Sequence, residues 1–363
     1  MRVILVAPPH SYATADVFKG YANALRRVPG VDLREWQLWP RIMFYDHALR
    51  LWAAGQRRDA RARGETTTRA QFRPHRDVVL LKASAELVCD AISARADWVV
   101  IVCGIAFHPD TVRMLRLAGI KVAAVFTESP YEDPQARQFA SFCDLVGVND
   151  RVSLQHFGDN TFYLPTAYDR DAHHPGVEAE ENGADVLLLG TGFKERVQLL
   201  RRVDWTGVDV RFRGHWRKAY RREPLLKPYI DPGPNDNGIS IVHNSTTAKA
   251  YRGAKINLNM YRRDREAESV SPRAWELAAL GTFALHEEGR AEAREVFGGS
   301  VGYFDGPQAL GEAVRYYLQR PELRAQMARE SWERVQGQSY DERAGRLLAA
   351  MDRVSTPRLV AVS

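Results

Sequence analysis

The chain has 363 residues, 45% of them hydrophobic and 26% charged, and carries a formal net charge of +6. That length predicts two domains of ordinary size, and the composition excludes fibrous and disordered classes. No apolar run reaches the length of a membrane span, and the Val3–Ala7 run is too short for a signal-peptide core, so a cytoplasmic protein with no membrane span is expected.

In chain order, the first half predicts strands at Arg2–Ala7, Val31–Trp36, Trp98–Cys103, Lys121–Thr127, Leu145–Val148 and Thr161–Leu164. Helices are predicted at Asp16–Val28, Asp77–Arg95, Pro109–Ala118, Pro134–Phe142 and Asp150–Phe157. Continuous apolar strands alternating with amphipathic stretches indicate a parallel sheet covered on both faces. Trp39–Arg76 breaks this rhythm and reads as an inserted helical excursion or a mobile loop.

The rhythm restarts after a Pro- and His-containing boundary, Leu164–Asp169 and His173–Gly176. Strands are predicted at Asp185–Leu189, Val208–Phe212, Lys255–Met260, Thr282–His286 and Val301–Phe304. Helices are predicted at Phe193–Val203, Thr246–Arg252 and Pro272–Leu280, with a helical C-terminal third. Two doubly wound α/β lobes follow, spanning 1–168 and 169–338, with 339–363 a terminal helix and tail returning to the first lobe. Ligands in such folds sit beyond the carboxyl ends of the strands, so the strand-to-helix loops are where chemistry is sought.

One loop stands out. Glu268 and Glu276 bracket a helix start at Ser271-Pro272-Arg273, followed by Leu277-Ala-Ala-Leu-Gly281 and a buried strand. Ser271 fits an N-cap and Pro272 the first helical position, and the N–H groups near Arg273 and Ala274 suit a diphosphate. Arg273 adds a cation, Glu276 can accept two ribose hydroxyls, and Glu268 can reach a transferred sugar. The bland alternative is a capped surface helix with solvated charges.

This segment resembles the Glu-x7-Glu donor site of retaining GT-B glycosyltransferases. More closely, Ser271-Pro-Arg-Ala-Trp-Glu-Leu-Ala-Ala-Leu-Gly-Thr-Phe is similar to the CgeB-like (spore-maturation-protein-like) glycosyltransferases. Asp16-Val-Phe-Lys-Gly20, Leu164–Asp169 with His173–Pro175, Ala254–Asn259 and Tyr340–Arg343 agree with that family in order. The resemblance implies two Rossmann-like lobes facing a central cleft, a UDP-, GDP- or other nucleotide-sugar donor, retention of configuration and no required metal.

Other loops supply further candidates. Gly190, Gly192, Lys194 and Arg196 follow the first strand of the second lobe, where glycine permits close approach and the cations suit a diphosphate. The pattern is neither a P-loop nor a full dinucleotide fingerprint. His215 and Trp216 either stack on a nucleobase or, for Trp216, pack in the core. In the first lobe, His10, Tyr12, Asp16, Glu128 and Tyr131 are acceptor-side candidates, Asp16 equally a helix cap. His108 resembles in position the loop histidine that approaches the transferred sugar, or is a surface residue before Pro109. His173 and His174 lack partners at metal spacing, and hinge packing is expected.

Only eight of the 51 Lys and Arg are lysine, and arginines crowd Arg57–Arg76. The acceptor is open: a small molecule, a glycan, or a modified DNA base reached along an arginine track. A non-catalytic nucleotide-sugar or nucleic-acid binding protein is the other-class alternative. An epimerase would need carboxylates such as Glu128 and Asp133.

Overall fold

A computed structural model describes residues 1–8, 15–104, 106–231, 244–261 and 266–354. The expected contacts at His10 and Tyr12 lie outside the described residues.

The chain divides into two compact units, one formed by Met1–Pro165 with the segment from Arg343 onward, the other by Thr166–Glu342. The first is built on six strands: β1 (Arg2–Ala7), β2 (Asp32–Gln37), β3 (Trp98–Val102), β4 (Lys121–Phe126), β5 (Leu145–Val148) and β6 (Thr161–Tyr163). They form one parallel sheet in the order β2-β1-β3-β4-β5-β6. The helices are α1 (Ala15–Arg27), α2 (Leu38–Ala62), α3 (Arg76–Ser93), α4 (Pro109–Leu117) and α5 (Asp133–Ala140). Strands β3 and β4 are continuous apolar runs from Trp98 to Val102 and from Val122 to Phe126 because helices cover both their faces. Val99, Ile101, Val122 and Ala124 join Leu87, Val112 and Phe139 in one core.

Of the two alternatives for Trp39–Arg76, the helical excursion holds: the 25-residue helix α2 is followed by a 3-10 turn at Ala70–Phe72. One expectation changes. Asp150–Phe157 is a 3-10 turn over Val152–His156, not an α-helix. Its first turn is closed by Asp150, whose side chain accepts from Val152 N–H at 3.0 Å.

The second unit has five parallel strands: β7 (Val186–Leu189), β8 (Val210–Arg213), β9 (Ile256–Asn259), β10 (Ala284–Glu287) and β11 (Gly302–Phe304). Their order is β11-β10-β9-β7-β8. The helices are α6 (Lys194–Leu200), α7 (Arg217–Arg222), α8 (Asn244–Gly253), α9 (Pro272–Ala279), α10 (Ala291–Phe297), α11 (Gly306–Leu318) and α12 (Pro321–Arg334). One sheet face packs Leu188, Phe212, Leu258 and Leu310, the other Leu187, Trp275, Leu277 and Phe297.

Helix α13 (Tyr340–Arg353) carries the chain back onto the first sheet. Buried Arg343 donates from Nε to Pro165 O at 3.2 Å, and Arg346 donates to Tyr163 O at 2.6 Å. Leu347 and Met351 are buried on the same helix.

Candidate functional site

In the second sheet, β7 lies between β8 and β9, so the chain leaves it towards opposite sides of the sheet. That reversal opens a crevice beyond the strand carboxyl ends, where doubly wound folds place ligands. Two stretches lead towards it, 190–193 after β7 and 266–271 before α9. With the helices they open, they carry Gly190, Gly192, Lys194, Arg196, Glu268, Ser271, Arg273 and Glu276.

The first loop is shaped by glycine. Gly190 has φ of +150°, and a methyl group on it would lie 2.8 Å from Arg273 Nη2 and 3.2 Å from Arg196 Nη1. Two guanidinium groups from different helices thus converge on the space a Gly190 side chain would fill. Gly190 N–H donates to Arg213 O at 2.9 Å, and Gly192 N–H to His215 O at 3.1 Å. Gly214 holds φ of +110°, and a methyl there would lie 2.4 Å from Gly190 O. Gly214→Ala should therefore lower stability by at least about 2 kcal/mol, read as a reduced urea midpoint with an unchanged slope.

Arg196 is buried and works as a bracket: its Nη atoms donate to Thr191 O at 3.1 Å and Met260 O at 2.6 Å. It ties the β7 loop to the end of β9 and leaves a fixed positive charge beside Gly190. Lys194 is exposed at the start of α6, and His215 is exposed one residue before Trp216. Trp216 corrects the base-stacking alternative. Its ring is 1% exposed, stacked on Phe212 at 5.1 Å, and a methyl on Gly192 would come within 2.6 Å of it. The indole supports the glycine loop from below, and its Nε1–H is satisfied by Arg213 O at 3.1 Å.

The second loop leads into α9. Ser271 occupies the N-cap position with extended backbone and Pro272 follows at the first helical position. The Ser271 hydroxyl does not cap the helix; it donates to Asn259 Oδ1 at 2.8 Å. Of the N–H groups expected to meet a diphosphate, Ala274 N–H instead closes a tight first turn onto Ser271 O at 3.0 Å. Arg273 is oriented by Tyr251, its Nε donating to the phenol oxygen at 3.2 Å. Glu276 sits one turn further in. It keeps a partly open face, yet the protein packed around it raises its pKa to about 7, a rise that nearby Arg273 opposes.

Glu268 is half-buried, and its place is set by anchors that sequence reasoning missed. Glu292, buried near the start of α10, accepts from Val270 N–H at 2.8 Å, while its own N–H donates to Glu268 O at 3.1 Å. Arg290 is also buried, donates to Ala267 O and lies over the Tyr261 ring at 5.1 Å. Glu292→Ala would strand a buried N–H at Val270, and a loss of about 1–3 kcal/mol in unfolding free energy is expected by denaturant titration.

Beneath the loops lies a buried polar layer of Asn259, Tyr261 and His286. Asn259 Nδ2 donates to the Tyr261 hydroxyl at 3.0 Å, and His286 Nδ1 stands 3.4 Å from that oxygen. Burial drives the His286 pKa down to about 3, so the ring is neutral in the folded protein. An unfolded histidine titrates near 6.5. Below that pH the unfolded chain binds the extra proton, and the stability associated with His286 falls by up to about 1.4 kcal/mol per pH unit. The gap in stability between the parent and His286→Leu should narrow from pH 6.5 towards pH 4, measured by denaturant titration. Buried His173 has the same direction of shift, to about 4.

The first unit presents its candidates separately. His108 is the N-cap of α4, its Nδ1 accepting from Asp110 N–H at 3.2 Å. That hydrogen bond places the neutral ring's proton on Nε2. Glu128 and Tyr131 are partly buried after β4, and Asp16 lies in the first turn of α1. Glu128 borders a cavity of only about 10 Å³ shared with Cys103 and Asp133. Asp133, weighed as an epimerase carboxylate, is buried and paired with His156 Nδ1 at 2.7 Å. Among the described residues, no cluster of three or more His, Cys, Asp or Glu could hold a metal ion.

Residues 194–349 match the family model described as "glycosyl transferase-like". No curated protein matches. Among solved structures, sucrose-phosphate synthase from Thermosynechococcus elongatus superposes with a TM-score of 0.66 at 12% identity, covering 98% of this chain and 100% of that one. The α,α-trehalose-phosphate synthase (UDP-forming) of Burkholderia xenovorans, in complex with glucose-6-phosphate, gives 0.63 at 13% identity, covering 96% and 99%. A trehalose-6-phosphate protein from E. coli bound with UDP-2-fluoro glucose gives 0.60 at 11%, covering 98% and 100%. The chain has a GT-B-like fold, two Rossmann-like α/β lobes with parallel sheets.

Proposed function

We propose that the protein is a glycosyltransferase that takes a sugar from a nucleotide-sugar donor held in the second unit. One observation carries this reading: at the β7/β9 reversal, the guanidinium groups of Arg196 and Arg273 converge on the side-chain side of Gly190, with Glu276 one turn along α9. A diphosphate at Gly190 would meet two fixed cations and the amino end of α9. Glu276 would accept the ribose hydroxyls, Lys194 and exposed His215 would reach the outer phosphate and the base, and Glu268 would contact the sugar.

In the reaction, the bond between the sugar's anomeric carbon and the diphosphate oxygen breaks, and its electron pair leaves with the nucleoside diphosphate. An acceptor hydroxyl forms the new bond and gives up its proton to the departing phosphate or to solvent. Arg196 and Arg273 stabilise the charge that grows on the leaving group, and this lowers the barrier electrostatically. The arginine pair supplies positive charge that needs no metal. Retention of configuration and a CgeB-like subclass are further parts of the proposal. Their support is the Glu268/Glu276 spacing and the Ser271–Phe283 block, which here forms the start of α9 and the turn into β10.

The proposal is tested by incubating the protein with a panel of nucleotide sugars and no acceptor. Slow release of nucleoside diphosphate from one donor is expected, and product-anomer analysis by NMR would decide retention. No release from any donor, together with no nucleotide binding, would remove the reading.

A further inference from the structure

The α2 excursion is not used by the donor site, and it carries two unusual surfaces. At about 3.6 residues per turn, Phe44, Ala48, Leu51 and Gly55 fall on one stripe with Trp52 at its edge. Buried Ala53 and Ala60 lie on the opposite side, against the unit. The stripe is open: Phe44 is 64% exposed, Leu51 62% and Trp52 64%. Scattered exposed apolar residues are ordinary, whereas three large ones aligned on one helix face indicate a contact surface.

The second surface lies round the helix from the stripe, towards Ala53. There Arg50, Arg57, Arg58 and Arg61 of α2 line, with Arg69, Phe72 and Arg73, a cavity of about 680 Å³ that Ala53 also borders. No acidic residue lines it. Asp46 holds Arg50 at 2.7 Å, and Arg61 Nε meets only the Thr67 hydroxyl at 3.3 Å. Arg57 Nε is shut off from solvent with no acceptor among the described residues. A guanidinium donor buried without an acceptor costs free energy that an anionic ligand would recover.

Exposed Phe, Leu and Trp on one helix face, with arginines on the neighbouring one, are the residue types by which a helix rests on a bilayer surface. The geometry points to α2 and the 3-10 turn at Ala70–Phe72 as a peripheral docking surface for a membrane rich in anionic phospholipid. Leu51 and Trp52 enter the acyl boundary, and lipid phosphates occupy the arginine-lined cavity. Among the described residues no helix is long and apolar enough to cross a membrane, so the contact is one of lying on the surface. Nucleic acid would use the same arginines but gains little from exposed Leu51 and Phe44, which favours lipid.

The test is sedimentation of the full chain with vesicles of phosphatidylcholine alone or with one quarter phosphatidylglycerol. Binding to the anionic vesicles only is expected. Arg57→Glu/Arg61→Glu should weaken it by at least about 25-fold, at about fivefold per arginine. Leu51→Ser/Trp52→Ser should weaken it by at least about tenfold. Both variants are checked for an unchanged melting temperature. A second readout is quenching of tryptophan fluorescence by brominated acyl chains, expected in the parent and reduced in Trp52→Phe. Parent-like binding by either double variant, no binding to anionic vesicles, or duplex DNA binding that ignores the Leu51/Trp52 change would each overturn the inference.

Discussion

Glu268→Ala is expected to lower the transfer rate by about 10²–10³ while leaving the fold intact. The carboxylate stands on a loop whose backbone is held from elsewhere: Glu292 fixes Val270 and Glu268 through main-chain atoms, and Arg290 fixes Ala267. Truncating the Glu268 side chain leaves these anchors in place, so the loss falls on the sugar rather than on folding. A preorganised charge in a site of this kind is worth about 10²–10³ in rate. Parallel measurements of turnover and of nucleoside diphosphate affinity separate the two effects. Turnover at the parent rate would show that Glu268 does not meet the sugar, and a collapse of nucleotide affinity would place it on the diphosphate side instead.

The second large effect belongs to Glu276. If its carboxylate accepts two ribose hydroxyls, removing it in Glu276→Ala costs two charge-assisted hydrogen bonds, and nucleotide affinity should fall by about 10²-fold or more. Its raised pKa adds a signature that a merely structural glutamate would lack. The free protein holds Glu276 protonated below about pH 7, and the ribose needs the ionised form. Nucleotide binding should therefore tighten as pH rises through 7, approaching tenfold per unit on the acidic side, and level off above it. Glu276→Gln should bind weakly with no such slope. The linkage to folding has the opposite sign to that of His286. Between the unfolded value near 4.5 and about 7 the folded protein holds the extra proton, so this group's contribution to stability declines as pH rises. Affinity that ignores pH across this range in the parent would contradict the assigned role.

The parts of the fold legible in sequence are those whose signal is local. Val99–Val102 and Val122–Phe126 are unbroken apolar runs because helices cover both sheet faces, and the runs mark the strand boundaries to within a residue. Ser271-Pro272 announced the start of α9 because proline is preordained for a first helical turn. Helix α2 was harder. It carries apolar residues on two faces, Ala53 and Ala60 inward and Phe44 and Leu51 outward, so no single stripe marks it. Helix α10 is seven residues of mixed charge and was not anticipated. With it went Arg290 and Glu292, the two anchors of the Ala267–Val270 loop, whose roles depend on contacts some twenty residues away in sequence. Trp216 shows the same limit in reverse. Stacking on a base and packing in the core both stay open for this ring from sequence, and only its contacts with Phe212 and Gly192 decide for the core. Arg196 and Arg273 are both assigned to a diphosphate from sequence, but their approach to one and the same residue, Gly190, is not legible there, because the three residues come from separate elements.

The central claim is that the crevice beyond β7 and β9 holds a nucleoside diphosphate through Gly190, Arg273 and Glu276. Isothermal titration of the full chain with UDP, GDP and the remaining nucleoside diphosphates, run beside the Arg273→Ala and Glu276→Gln variants, tests it most directly. Saturable binding of one of them, lost by at least about tenfold in both variants, is the predicted result. No binding by any nucleoside diphosphate, or binding that both variants retain at parental affinity, would contradict it.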